Sequence, residues 1–202
     1  MSIQQRQSPW ISPEEYLEGE KLSQVRHEYV DGCVYAMAGA STAHNTIAGN
    51  LFAVIRLHLR GTPCRAYISD MKARIEARSI FYYPDLFVTR DPQDRETDDY
   101  KRFPRLIVEV LSSTTASIDR GAKLRDYQSL GSLDEYVLVS QDEPRIESYR
   151  RRDGGWWEYR VHSSNDDFRF ESVDLTIPMD RVYEDVEFSA AGRDAYQPVQ
   201  TE

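Results

Sequence analysis

The sequence predicts an α/β (α+β) layer fold, in which a mixed β-sheet is flanked by helices and preceded by an N-terminal hairpin. Three observations predict it. Asp31-Gly32 separates two β-rich runs, residues 47–59 carry apolar side chains at helical spacing, and residues 105–111 are almost continuously apolar. The last pattern is typical of a central strand that is covered on both faces.

Length and composition fit one domain over residues 1–188, followed by a tail, 189–202, that we predict to be disordered. The chain has 202 residues, of which 40% are hydrophobic and 29% charged, which suits a single packed domain. No apolar run approaches the roughly 18 residues of a membrane span, and the N-terminus lacks signal-peptide features. We therefore expect a cytoplasmic protein without a membrane segment.

The composition argues against two classes of protein. The net charge is -9, whereas tight general DNA binders depend on Lys and Arg contacts with phosphates. A bound metal ion would add local positive charge, so a DNA substrate remains compatible with this balance. Cys33 and Cys64 have no CxxC spacing and no neighbouring His cluster, which argues against a structural zinc site.

The first part of the chain predicts a helix, a hairpin and a longer helix. Ser12 and Glu15 match a capping box, Asp31-Gly32 supplies the positive φ angles of a two-residue turn, and Ser41 or Thr42 caps the long helix. The predicted ranges are 12–20 for the first helix, 27–30 and 33–37 for the hairpin strands, and 42–60 for the long helix.

The rest of the chain predicts mainly strands, with one more helix. Residues 90–104 are polar and irregular, which indicates an exposed loop, and 119–130 have the pattern of a helix with Leu124, Tyr127 and Leu130 facing inward. The predicted strands are 64–69, 71–76, 80–89, 105–111, 135–140, 145–150, 156–162 and 168–177.

Two carboxylates interrupt apolar strands. Glu109 lies in the middle of the central strand, and Asp85 follows Tyr82-Tyr83-Pro84 and precedes Leu86-Phe87-Val88. A buried carboxylate is costly unless it is paired, protonated or bound to a metal. On neighbouring strands, about 4.8 Å apart, the two could share a hard cation such as Mg²⁺ or Mn²⁺. A buried salt bridge at Glu109 and an ordinary strand start at Asp85 are the structural alternatives.

Two lysines compete for a place beside this pair. Lys123 lies in the helix after the Glu109 strand, where it could stabilise developing negative charge or simply pair with Asp119 at helical spacing. Lys72 is the alternative, because a strand beside Asp85 could point it inward. His44, near the start of the long helix, is a weaker candidate that could form only a local hydrogen bond.

Several short motifs, taken in order, resemble those of a bacterial family. The motifs are Arg26-His27-Glu28-Tyr29-Val30-Asp31-Gly32, Ala38-Gly39-Ala40-Ser41 with His44-Asn45, Tyr83-Pro84-Asp85, Ile107-Val108-Glu109-Val110-Leu111-Ser112, Asp119-Arg120-Gly121-Ala122-Lys123 with Tyr127, and Glu135-Tyr136-Val137-Leu138-Val139-Ser140. Together they make the chain similar to the Uma-two family of restriction endonuclease-like proteins, over most of its length to about Glu184.

The resemblance implies a restriction endonuclease-like core of the PD-(D/E)XK type. Pro84-Asp85 matches the first half of that motif and Glu109 the acidic residue of the second. Leu111 stands where the superfamily has its lysine, and Lys123 is the matching position in this family. The resemblance further implies that Glu28 is an additional catalytic acid and that the Val110 carbonyl is a metal ligand beside Asp85 and Glu109.

The sequence therefore predicts an Mg²⁺- or Mn²⁺-dependent endonuclease acting on DNA, with Asp85, Glu109, Lys123 and Glu28 as its catalytic residues. A homodimer would suit cleavage of a duplex. Two alternatives remain open. One is a catalytically weak or inactive nuclease-fold protein that binds nucleic acid or a protein partner. The other is an interaction domain in which Asp85 and Glu109 form only internal ion pairs.

Overall fold

The computed structural model describes residues 10–163 and 167–188, so the predicted tail, 189–202, lies outside the described residues. The helices are α1 (Pro13–Leu22), α2 (Thr42–His58), α3 (Ala116–Ile118), α4 (Leu124–Gln128) and α5 (Met179–Val182). The strands are β1 (His27–Val30), β2 (Cys33–Ala36), β3 (Arg65–Ile68), β4 (Lys72–Ile75), β5 (Ile80–Tyr82), β6 (Leu86–Thr89), β7 (Tyr100–Lys101), β8 (Pro104–Leu111), β9 (Glu135–Ser140), β10 (Arg145–Arg151), β11 (Trp157–Ser163), β12 (Asp167–Phe170) and β13 (Leu175–Pro178).

The strands are divided among sheets of six, five and two strands. The six-stranded sheet has the order β11-β10-β9-β8-β6-β3, the five-stranded sheet β2-β1-β5-β4-β7, and β12 pairs with β13. The larger sheets are mixed, because β8 runs parallel to β9 and β4 parallel to β7, while their other pairs are antiparallel. The predicted α+β architecture with mixed sheets is confirmed, but its strands belong to more than one sheet.

The first helix and the hairpin form as predicted. The Glu15 amide donates to Ser12 Oγ at 3.2 Å, and the Ser12 amide donates to Glu15 Oε2 at 2.8 Å, which completes the capping box. Asp31 and Gly32 have φ angles of 45° and 88°, as a tight hairpin turn requires. The register pairs Glu28 with Tyr35, so both side chains lie on the same face of the hairpin.

Two predicted strands are each broken in the middle. Residues 80–89 form β5 in the five-stranded sheet and β6 in the six-stranded sheet. Pro84 lies in the break, where a residue without an amide donor cannot continue a ladder. Residues 168–177 fold back on themselves through a 3₁₀ turn at Glu171–Val173, and Asp174 adopts a φ of 52°.

The prediction of an irregular, exposed loop over residues 90–104 was wrong in part. The segment contains a 3₁₀ turn, Pro92–Arg95, and strand β7. Asp94 organises it, because its buried carboxylate accepts hydrogen bonds from the Arg102 amide at 2.6 Å and the Phe103 amide at 3.1 Å. A polar sequence thus folds around a buried acceptor.

The predicted third helix begins earlier and ends earlier than its pattern indicates. It starts at Ala116, continues through a π-helical turn, Asp119–Lys123, and ends at Gln128. Tyr127 is fully buried, and Leu130 is buried just beyond the end of the helix. π-Turns within helices are frequent at functional sites.

The six-stranded sheet separates two hydrophobic cores. On one face it packs against α2, whose residues Ile47, Leu51 and Ile55 are fully buried, as the helical pattern predicts. On the other face it packs against α4 through Tyr127 and against β5. β8 is therefore covered on both faces, which makes the position of Glu109 costly unless the carboxylate has partners. In the described part of the chain, no helix has the length and apolar character to cross a bilayer.

Candidate active site

Asp85 and Glu109 meet where β6 lies antiparallel to β8. Leu86 pairs with Val108, so Asp85, just before β6, lies beside Glu109 and Val110. The Val110 amide donates to Asp85 Oδ2 at 2.7 Å, and the Asp85 amide donates to Glu109 Oε2 at 3.2 Å. The backbone of each strand thus positions the carboxylate of the other.

Glu109 is the buried member of the pair. Its side chain is 4% exposed, and its Oε1 atom accepts hydrogen bonds from Lys123 Nζ at 3.2 Å and Tyr127 Oη at 3.1 Å. Burial raises the pKa of the Glu109 carboxyl well above its ordinary value; Lys123 opposes the shift, and the neighbouring carboxylates add to it. The site therefore holds more negative charge than its lysine balances.

Lys123 lies at the centre of a set of carboxylates. Its ammonium is 2.9 Å from Glu28 Oε1, 3.2 Å from Glu109 Oε1 and 3.5 Å from Asp119 Oδ1. Burial alone would lower the pKa of Lys123, but the three carboxylates outweigh burial and raise it well above its ordinary value. The lysine is therefore charged throughout the physiological pH range.

Two carboxylate oxygens in this cluster are buried without a hydrogen bond. They are Glu28 Oε1 and Asp119 Oδ1. Each forms an ion pair with Lys123 Nζ, at 2.9 Å for Glu28 and 3.5 Å for Asp119. Burial also raises the pKa of Asp119. Both atoms retain the capacity to bind a proton or a cation, or to accept a hydrogen bond.

His44 belongs to the site more closely than the sequence suggested. Ser41 caps α2 by accepting a hydrogen bond from the His44 amide at 3.1 Å, and the His44 ring Nε2 lies 3.2 Å from Asp85 Oδ2. Burial opposes protonation of the ring, but the contact with Asp85 outweighs it and raises the pKa of His44. The sequence placed His44 near the start of the long helix, but it carried no signal for the contact with Asp85, which lies 41 positions away.

Lys72 lies in the other sheet, on β4. Its ammonium donates to the Asp99 carbonyl at 3.2 Å and lies 5.3 Å from the centre of the Tyr83 ring. Burial lowers its pKa. Of the two candidate lysines, the structure brings Lys123 to the carboxylate pair.

The donor set fits a hard cation held by a few protein ligands. Glu28, Asp85, Glu109 and Asp119 supply carboxylate oxygens around one lysine and one histidine. Within residues 10–163 and 167–188, no three Asp, Glu, His or Cys side chains form a ready-made cage. Mg²⁺ commonly binds through one or two carboxylates and keeps several waters, which the Asp85–Glu109 pair could provide.

The members of the cluster differ in exposure. The side chains of Asp85, Glu28 and His44 are 18%, 17% and 15% exposed, whereas that of Glu109 is 4% exposed. A separate depression of about 530 Å³ lies beside the hairpin, where its lining includes Arg78 and Asp126 rather than the carboxylate pair.

The model of the Uma2 family, described as "Putative restriction endonuclease", matches residues 13–180. The chain belongs to the Uma2 family. The match spans the hairpin, both carboxylate-bearing strands and the Lys123 helix, so it includes every residue of the cluster. The resemblance predicted from the sequence motifs is confirmed.

Two relatives in the cyanobacterium Synechocystis sp. PCC 6803 are similar over nearly their whole length. The uncharacterized protein slr1290 is 37% identical over 180 residues, which is 89% of this chain and 95% of the relative. The uncharacterized protein sll1609 is 29% identical over 169 residues, 82% of this chain and 95% of the relative.

A crystal structure from Anabaena variabilis ATCC 29413 shares the fold. It is described as a "putative nuclease belonging to DUF820", and it superposes with a TM-score of 0.68 at 18% identity, covering 86% of this chain and 97% of its own. At this identity the similarity establishes the fold alone. The predicted restriction endonuclease-like architecture is therefore confirmed.

Proposed function

We propose that this Uma2-family chain is a metal-dependent endonuclease that hydrolyses phosphodiester bonds in DNA. The observation that carries the proposal is that Asp85, Glu109 and Lys123, far apart in sequence, converge in one partly open cluster. A paired carboxylate site with a charged lysine beside it is suited to phosphoryl chemistry, in which negative charge develops on the phosphate.

Asp85 and Glu109, together with the Val110 carbonyl, would hold Mg²⁺ or Mn²⁺. When bound, the ion would polarise the scissile phosphate and lower the pKa of the attacking water. Glu109 and Asp85 are already fixed in place by backbone amides, so little reorganisation is needed for them to act as ligands.

The remaining residues have roles that follow from their contacts. Lys123 keeps its proton and stabilises the negative charge that develops on the phosphoryl oxygens. Glu28 pairs with the Lys123 ammonium at 2.9 Å, and its partly exposed carboxylate is the candidate to orient the attacking water. His44 holds the Asp85 carboxylate from the opposite side.

A second candidate function is nucleic-acid or protein binding without efficient cleavage. Leu111 occupies the position of the superfamily's lysine on the strand, and the Lys123 ammonium is already surrounded by three carboxylates. Both features favour a weak or inactive site. The net charge of -9 favours a protein partner over nucleic acid in this second function, because nucleic-acid affinity depends mainly on Lys and Arg contacts with phosphates.

Cleavage assays separate these functions. The purified protein is incubated with supercoiled plasmid and with labelled oligonucleotides, in Mg²⁺, in Mn²⁺ and in EDTA. We expect metal-dependent nicking that falls at least about 100-fold in Lys123→Met, because the lost charge acts on the transition state. Lys72→Met is the matched control, since Lys72 is a partly buried lysine outside the cluster, and it should cleave normally.

The absence of cleavage with both metals, in a folded protein, would contradict the nuclease proposal. Binding of the same oligonucleotides without cleavage would then support the second function. Equal losses in Lys123→Met and Lys72→Met would contradict the role given to Lys123.

A further inference from the structure

Glu20 is a buried carboxylate that is not part of the cluster around Lys123. It lies near the end of α1, and its side chain is 4% exposed, whereas that of the next residue, Lys21, is 49% exposed. The helix therefore turns Glu20 toward the interior. A buried carboxylate is costly unless it is paired or hydrogen-bonded, so the burial of Glu20 must be offset by the groups that it contacts.

The contacts of Glu20 bridge the start of β1 and the residue that follows β5. Its Oε1 atom accepts hydrogen bonds from the His27 amide at 2.9 Å and from the Tyr83 hydroxyl at 3.0 Å. Its Oε2 atom lies 3.2 Å from His27 Nδ1. Burial raises the pKa of the Tyr83 hydroxyl, and the charge of Glu20 raises it further. The hydroxyl therefore keeps its proton and donates to the carboxylate.

These hydrogen bonds join β1 and β5 at the point where their ladder ends. The register pairs Tyr29 with Phe81 as its last pair on this side. Extending the antiparallel register by two residues would set His27 opposite Tyr83. The chain instead crosses after Tyr83 to β6 in the six-stranded sheet. One carboxylate of α1 thus connects the two segments where the sheet itself no longer does.

Both segments lead directly into the cluster. Glu28, whose carboxylate belongs to the cluster, follows His27, and Asp85 lies two residues after Tyr83. Residues 83–85 belong to neither β5 nor β6, so side-chain contacts have a large part in fixing their position. Pro84 stands between Tyr83 and Asp85, and its ring fixes one backbone torsion. A shift of Tyr83 is therefore passed on to Asp85.

We propose that Glu20 is a positioning residue, which places Asp85 and Glu28 for the chemistry of the candidate active site. It acts through the residue before Glu28 and through the residue two positions before Asp85. The consequence for metal binding and cleavage rests on the proposed function, whereas the placement of Asp85 can be measured without metal. Groups that orient metal ligands typically change metal affinity or activity about 10- to 100-fold when they are replaced.

Amide hydrogen exchange of the metal-free protein tests the placement of Asp85. The Val110 amide donates to the Asp85 carboxylate at 2.7 Å, so its exchange rate reports whether that carboxylate is in place. Glu20→Ala should speed exchange at Val110 at least about tenfold relative to the amides of β9, because it removes hydrogen bonds to a charged acceptor. Glu20→Gln keeps an oxygen that can accept from both donors, and it should exchange as the wild type does.

Two tyrosine variants form a matched pair for this experiment. Tyr83→Phe removes only the hydroxyl that donates to Glu20, so it should speed exchange at Val110 as Glu20→Ala does. Tyr183→Phe is the control, since Tyr183 is also buried and donates through its hydroxyl, to a backbone carbonyl on β10 at 3.0 Å. It should leave exchange at Val110 unchanged relative to the amides of β9.

Manganese binding and plasmid nicking connect the placement to the proposed function. Glu20→Ala and Tyr83→Phe should each weaken Mn²⁺ binding about 10- to 100-fold, and Glu20→Gln should restore it. If the wild type neither binds Mn²⁺ nor nicks DNA, while exchange at Val110 follows the expected pattern, the nuclease proposal fails and the positioning role stands.

Three results would overturn the positioning role of Glu20. The first is exchange that rises equally at Val110 and along β9, because Glu20 would then only stabilise the fold. The second is unchanged exchange at Val110 in both Glu20→Ala and Tyr83→Phe. The third is wild-type Mn²⁺ affinity and nicking in both of these variants, in a wild type that itself binds Mn²⁺ and nicks DNA.

Discussion

Glu109 and Glu147 both lie on strands, and the side chain of each is 4% exposed. The charges that surround them differ: they are mainly negative around Glu109 and positive around Glu147. Glu147, on β10, accepts three hydrogen bonds from Arg120, at 2.7, 3.2 and 3.3 Å, and lies 3.5 Å from Arg145. Burial acts to raise the pKa of Glu147, but the arginines outweigh it and lower the pKa. At Glu109 the neighbouring carboxylates add to the effect of burial, and the pKa is raised.

The difference separates a structural ion pair from a candidate site. At Glu147 two arginines lie beside one carboxylate, so its negative charge is balanced within the chain. At Glu109 one lysine serves several carboxylates, and two oxygens in the cluster have no hydrogen bond. An excess of one charge among partly exposed groups with shifted pKa values is typical of a site that binds something else. Each of the following predictions compares these two glutamates, or tests the cluster around one of them.

The largest expected effect is on cleavage. Glu109→Gln should reduce metal-dependent nicking at least about 100-fold, since it removes a proposed ligand and a charge that positions Lys123. Glu147→Gln should leave nicking within about twofold and lower the free energy of unfolding by about 1 kcal/mol, because its arginines are partly exposed. Plasmid nicking and urea denaturation of both variants test this. Equal cleavage by the two variants would contradict the distinction.

The next effect is on metal-linked stability. A cation that binds only the folded chain should stabilise it by about 2.7 kcal/mol at a hundredfold excess over its dissociation constant. Mn²⁺ should therefore raise the melting temperature of the wild type and of Glu147→Gln, but not that of Asp85→Asn or Glu109→Gln. If Mn²⁺ changes none of the four melting temperatures, and Asp85→Asn is strongly destabilised, the carboxylates form a structural ion-pair cluster instead.

The smallest effect is on the pH dependence of stability, and it has opposite signs at the two glutamates. The raised pKa of Glu109 means that the folded chain binds more protons than the unfolded chain above about pH 4.3, so this group contributes less stability as pH rises. The lowered pKa of Glu147 contributes stability that is present above about pH 4.3 and is lost as pH falls through the folded value.

Urea denaturation from pH 4 to pH 8 measures both slopes. Relative to the wild type, Glu109→Gln should become more stable as pH rises from 5 to 8. The free energy of unfolding of Glu147→Gln should be lower than that of the wild type at neutral pH, and this difference should disappear only at the acidic end of the pH range. If the difference in the free energy of unfolding between the wild type and Glu109→Gln does not change with pH, Glu109 titrates as an ordinary carboxyl.

Local patterns in the sequence predicted much of the fold. The capping box at Ser12, the Asp31-Gly32 turn and the buried face of α2 depend on interactions within a few residues, so the sequence alone identifies them. The predictions failed where a predicted strand is interrupted in the structure. Residues 80–89 were predicted as one strand although Pro84 signals a break, and only the tertiary structure shows that the two halves join different sheets.

The candidate site was predicted in part for the same reason. A charge within an apolar strand is visible in the sequence, which identified Glu109 and Asp85 as a pair to test. The choice between Lys123 and Lys72 could not be made locally, because both lie at positions that could face the carboxylates. His44 was underestimated, since its contact with Asp85 joins segments 41 positions apart, and Asp119 was considered only as a partner for Lys123.

The sequence by itself determined the order of helices and strands, the family motifs and the presence of carboxylates that burial would make costly. These follow from side-chain periodicity and from the cost of removing a charge from water. Only the tertiary structure decided which charges meet. The pairing of β6 with β8 brings Asp85 to Glu109, and the π-turn brings Asp119 and Lys123 to the same point. Electrostatic interactions depend on distances of a few ångströms between remote segments, and those distances are fixed by strand pairing and helix packing.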